Sequence, residues 1–143
     1  MKKLLSIIFL GLLWCNVVMA EPTKTYWTIS NVIEEGIFLK ANEVIGKTQK
    51  FSRGNSEGFF FNCSKKQVSN YTTYTSEEFF RNKEFEIFWK HKEKLNISSN
   101  KKIYVEKLSC GDNKTVLYPF IQIEDSDIAY YEFDLGIYEL KNK

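Results

Sequence analysis

A single histidine, His91, bounds the acid–base and nucleophilic chemistry open to this chain, because Ser-His-Asp and Cys-His arrangements would both have to be built on it. Its acidic companion on a helical face is Glu84, and that spacing sets the two side chains about two turns apart, a weak geometry for proton transfer. Both residues fit better at the border of an apolar stripe, each with a local partner. Zinc chemistry lacks histidine and free-cysteine ligands. Glu124, Asp125 and Asp127 form an acidic cluster that could attract calcium, yet Ala129 and Gly136 fall on the fifth and twelfth positions counted from Asp125, where an EF-hand loop supplies ligands. An acidic turn is the better expectation. No spacing singles out a carboxylate pair for glycoside hydrolysis. The sequence therefore assigns no catalytic residue, no metal site and no cofactor.

Cysteine chemistry depends on compartment, and the first twenty residues specify one. Lys2 and Lys3 precede an apolar run from Leu4 to Leu13, and Val18-Met19-Ala20 places modest residues before Glu21-Pro22. That is the pattern of a cleaved export signal. A membrane anchor fits less well, since Leu4 to Ala20 is short for a span and carries Asn16. Trp14 directly before Cys15 argues against lipidation of that cysteine. The expected organisation is a signal peptide over 1–20 and a single α+β domain over 21–143, in the periplasm or secreted, with no stable membrane span after cleavage. In that compartment Cys63 and Cys110 are expected to form one disulfide, because they lack the close spacing of a redox or metal-binding pair.

Lys2 and Lys3 also account for the whole formal net charge of +2, so the portion from Glu21 onward is neutral. Neutrality removes the electrostatic case for nucleic acid or anionic lipid, which require a basic surplus or a clustered basic face. Lys65-Lys66 and Lys101-Lys102 read as separated, solvated loop charges. Sequons begin at Asn62, Asn70, Asn96 and Asn113. The Lys, Asn, Ile and Phe bias fits an AT-rich bacterial genome, where such sequons arise by chance and stay unused.

Aromatic residues are the remaining unusual resource, with 12 Phe, 8 Tyr and 3 Trp. Most are expected to pair across strands or fill the core. Tyr71, Tyr74, Tyr130 and Tyr131 lie in polar contexts, and Phe85 and Trp89 fall outside the main apolar stripe of their segment. These six form the candidate binding surface, since exposed aromatics give contact area at low entropic cost.

The elements that would carry them follow from pattern. Tyr26–Ile29 suits a strand, and Glu34-Glu35-Gly36 is a hairpin-turn candidate between Val32-Ile33 and Ile37-Phe38-Leu39. Val68–Thr75 alternates weakly. Thr75 and Glu78 form a capping box that opens one long helix from Ser76 to about Leu95, with Phe80, Ile87, Phe88 and Leu95 on one face. Ile103–Cys110 and Thr115–Ile123 flank Gly111–Lys114 as a hairpin, with Pro119 marking an edge or bulge. Ala129–Leu140 reads as one long strand bent at Gly136. The expected fold is α+β: a mainly antiparallel curved sheet or partial barrel of about 6–8 strands, with one long helix packed on it and Cys63–Cys110 stapling the strands around that helix. The expected function is that of a small exported, non-enzymatic binding module acting through a protein partner. The alternative is a small-ligand carrier with an aromatic-lined apolar cavity.

Overall fold

The structure, a computed structural model, describes residues 26–52, 55–64, 67–111, 115–116 and 119–142. The expected signal at 1–20 and the turn residues 112–114 lie outside them. Strands β1 (Tyr26–Glu34), β2 (Thr48–Lys50), β3 (Glu57–Gly58), β4 (Val68–Thr75), β5 (Lys102–Cys110), β6 (Thr115–Val116), β7 (Phe120–Ile123), β8 (Ile128–Phe133) and β9 (Gly136–Asn142) build one antiparallel sheet. Its order is β3-β2-β1-β9-β8-β7-β5-β4, with β6 also paired to β5. The sheet is curled into a half-barrel.

Alternation along the central strands separates two cores. Ile103 and Val105 of β5, Ile121 and Ile123 of β7, Tyr130 of β8 and Ile137 of β9 pack on one face with Phe79, Phe80, Phe85, Phe88 and Leu95. Leu108, Phe120, Ala129, Tyr131, Tyr138 and Leu140 point the other way, joining Trp27, Ile29, Val44, Phe51 and Phe60. This second face is the concave one. Phe51, just beyond β2, stacks on Phe120 of β7 with centroids 3.9 Å apart, although three strands separate β2 from β7 in the sheet. Only a sheet curling toward that face can make this contact. Register shifts in β1 between Ile29 and Asn31 and between Val32 and Glu34 supply bends that bulges characteristically introduce.

Cys63 and Cys110 lie at disulfide distance, with Cα atoms 5.8 Å apart. Cys63 bridges to Ser56 just before β3, whereas Cys110 ends β5, the neighbour of β4. The bond therefore connects the two ends of the strand order. Gln67 Nε2 reinforces this closure by donating to the Ser52 carbonyl, 2.7 Å.

The long helix is replaced by shorter pieces. Thr75 and Glu78 do form the capping box: Thr75 Oγ1 accepts from the Glu78 N–H at 3.2 Å, and Glu78 Oε2 accepts from the Thr75 N–H at 2.8 Å. But α2 spans only Ser76–Arg81. Asn82 takes extended backbone (φ −79°, ψ 119°), and its side chain accepts from the Glu84 N–H. A 3-10 turn at Lys83–Phe85 then leads into α3 (Glu86–Lys90), and His91 ends it before a further turn at Lys92–Lys94. Asparagine competes for backbone hydrogen bonds in this way, and the aromatic-rich sequence gives the helix little propensity to resist. The break also serves packing. Six residues of straight helix would rotate Phe79 and Phe85 far apart, yet both reach the sheet.

Two turns also differ from expectation. Gly36 does not reverse the chain into a hairpin; a Cβ there would lie 2.8 Å from Tyr138 Oη, so glycine permits close approach to the β8–β9 end of the sheet. Ile37 N–H donates to the Asp134 carbonyl at 3.1 Å, which holds the segment against that turn instead. Ala129–Leu140 is a hairpin rather than one strand. Asp134 and Leu135 both have positive φ, 55° and 63°, the conformation a tight two-residue turn requires. A short helix, α1 (Ala41–Val44), completes the described elements.

Candidate interaction surfaces

The broken α2–α3 segment creates a groove of about 520 Å³ lined by Phe80, Arg81, Asn82, Lys83, Glu86 and Trp89. Because the chain turns at Asn82, the end of α2 and the face of α3 form its two walls. Phe80 forms apolar floor, and Lys92 Nζ lies 4.9 Å from the centre of its ring. Trp89 stands 55% exposed. Arg81 pairs with Glu77 and Lys90 with Glu86, each at 2.8 Å along a helical turn. The Lys90 ammonium, by hydrogen bond and charge, holds the Glu86 carboxyl below its ordinary range. An apolar floor, one exposed indole and locally matched charges of both signs line the groove.

The six aromatics of the expected binding surface divide. Trp89 is exposed at this groove, and Tyr71 is 42% exposed on the concave side of β4. Tyr74 lies half-buried against the helical core, where its ring meets Phe85 at 5.5 Å. Phe85, Tyr130 and Tyr131 are fully buried. Burial pushes the Tyr130 hydroxyl up to about 12, and that oxygen accepts from the Asn96 N–H at 2.8 Å, tying the polar connection to the sheet. Glu132 points to the opposite face from Tyr131, and Tyr130 is buried although Glu132 shares its face, so the polar residues around them say little about the rings.

His91 faces Glu34 at 3.6 Å, and Lys94 reaches the same carboxylate oxygen at 3.7 Å. Glu84 instead pairs with Lys107 of β5. The two helical residues thus have separate local partners. The acidic turn is matched by lysines: Lys101 to Asp125 at 3.6 Å and Lys102 to Glu124 at 4.0 Å. Among the described residues, no group of three or more His, Cys, Asp or Glu is placed to hold a metal ion. Nor is any helix among them long and apolar enough to cross a membrane.

Two features escaped sequence reasoning. Glu106 lies opposite Tyr71 across the β4–β5 ladder, 2% exposed, with Oε1 lacking a hydrogen-bond partner. Burial raises its carboxyl, against the lowering effect of hydrogen bonds with Tyr71 and Ser69. Its signal was faint: Glu106 and Lys107 are consecutive polar residues, after which Leu108 moves the apolar position to the face that Glu106 shares. Second, Ile37, Phe38 and Leu135 are exposed on two segments joined by Asp134, whose Oδ2 accepts from the Phe38 N–H at 2.6 Å. Phe38 is 78% exposed. Comparison of the chain with protein-family models, curated proteins and solved structures finds no match.

Proposed function

We propose that this protein is a small exported binding module that acts by docking a protein partner, without catalysis of its own. The observation that carries this reading is the open groove between α2 and α3, with Trp89 exposed beside Phe80 and Arg81. Tryptophan and arginine are the residue types most enriched where binding energy concentrates. The position of the groove favours a polypeptide over a small ligand. It lies on the outer, helical side, whereas the concave side, where a carrier would hold its cargo, is packed with ring contacts such as the stacked Phe51–Phe120 and the tilted Phe60–Tyr131 pairs.

Export rests on the charged, apolar and small-residue order of residues 1–20, and is supported by the Cys63–Cys110 pairing, which an oxidising compartment sustains. On this reading residues 21–143 act as one domain, in the periplasm or outside the cell.

The test is paired affinity capture from the native cell envelope, using the wild-type protein and Trp89→Ala side by side. A protein retained by the wild type and lost from Trp89→Ala supports the reading. Retention of small molecules alone, or a protein set identical for both baits, overturns it.

A further inference from the structure

The two ends of the sheet are treated differently. At one end β3 is only two residues long, and the chain beyond it is held by the Ser56–Cys63 bridge and by the Cys63–Cys110 pair. Short length and a covering loop are the usual protection of a sheet edge. The other end is β4, eight residues long, paired to β5 without a register shift from Val68 to Thr75. Beyond the Gln67–Ser52 hydrogen bond just before Val68, the strand itself carries none of the usual protective devices. Val68-Ser69-Asn70-Tyr71-Thr72-Thr73-Tyr74-Thr75 contains no charge, no proline and no glycine, in a chain that is 27% charged. Thr72 and Thr73, on opposite faces, are both exposed, so among the described residues no element covers the strand at that point.

Absence of charge is informative about which strand could add there. In a two-fold antiparallel pair the residue on the axis faces its own copy, so a Lys or Glu there would meet a like charge, and a strand without charges penalises no position of the axis. A dyad at Thr72 sets Thr72 against Thr72, Tyr71 against Thr73 and Asn70 against Tyr74. These are hydroxyl and aromatic pairings that sheets favour. The small net charge of the chain adds little long-range repulsion.

We propose that β4 is a homotypic docking edge, through which two copies of this chain pair as antiparallel strands about a two-fold axis near Thr72 and join their sheets into one. This inference does not depend on the Trp89 groove. It is tested by sedimentation of the purified protein over a concentration series, with Thr72→Lys, Thr72→Glu and their equimolar mixture. The wild type forms a concentration-dependent dimer. Each single variant dissociates at concentrations roughly tenfold or more higher than the wild type, from like charges placed at the dyad. The mixture recovers the dimer, which also shows that the variants remain folded. A monomeric wild type overturns the proposal, as does a dimer that neither variant weakens. If the edge instead receives a strand from another protein, the wild type alone sediments as a monomer.

Discussion

The rings of Phe79 and Phe85 stack nearly parallel, with centroids 4.6 Å apart, and they do so only because the helix between them is broken at Asn82. Both rings are fully buried, with Phe88 5.7 Å from Phe79, and together they seal the helical side of the sheet. Trp89 is the immediate neighbour of this cluster in sequence but projects outward.

Neighbouring aromatics should therefore differ sharply in their contribution to stability. Phe85→Ala is expected to cost about 3–5 kcal/mol in urea unfolding, as for other buried phenylalanines. Trp89→Ala should change stability by no more than about 0.5 kcal/mol, as for an exposed position. Equal losses would mean that Trp89 packs as a core residue.

Closure of the sheet ends by Cys63 and Cys110 predicts coupled losses. Cys63→Ser and Cys110→Ser should each lower stability by about 4 kcal/mol on the chain-entropy estimate for their sequence separation of 47 residues. The double variant should be no worse than either single one. Additive losses in a double-mutant cycle would show that the two do not pair.

Buried carboxyl groups set the expected pH dependence. Burial raises Glu106 and Glu132 above the ordinary value of 4.5, so the folded state holds their protons more tightly than the unfolded state. Stability from these groups is fully present below that value and is lost as pH rises toward their folded pKa values. Glu106→Gln, which keeps a neutral side chain of similar shape, should flatten part of this decline and be more stable than the wild type above it. A Glu106→Gln profile parallel to the wild type across mildly acidic pH would contradict a raised carboxyl.

Leu135 holds a left-handed backbone conformation that costs an L-residue about 1–2 kcal/mol. Its side chain is largely exposed, so little packing is lost when it is replaced. Leu135→Gly is expected to raise stability by about 0.5–1 kcal/mol, the relief of strain exceeding the added entropy of the unfolded chain. A destabilised Leu135→Gly would mean that the leucine makes contacts worth more than its strain.

Strand-forming segments were legible where β-branched and aromatic residues cluster between turn signals, as in Ile103–Cys110 before Gly111. The capping box at Thr75 and Glu78 marked the start of α2 because both partners are local. What followed was not legible, since the break at Asn82 is decided by where Phe79 and Phe85 must pack, which is tertiary information. The Asp134-Leu135 turn was hidden for another reason: leucine is a poor turn residue, and its alternation with Phe133 and Ile137 imitated a continuous strand. Position outside the apolar stripe did not separate exposed Trp89 from buried Phe85, because that stripe presumes an unbroken helix. Tyr130 and Tyr131 could not be placed from polar neighbours, because β8 is covered on both faces and its rings enter the two opposite cores.

The most direct test of the docking account is the binding isotherm of a captured partner, once purified, against the wild type and Trp89→Ala at matched folding. The account predicts that removing the indole weakens binding by about 30-fold or more, equivalent to a loss of about 2 kcal/mol at a central contact. An unchanged dissociation constant would contradict it.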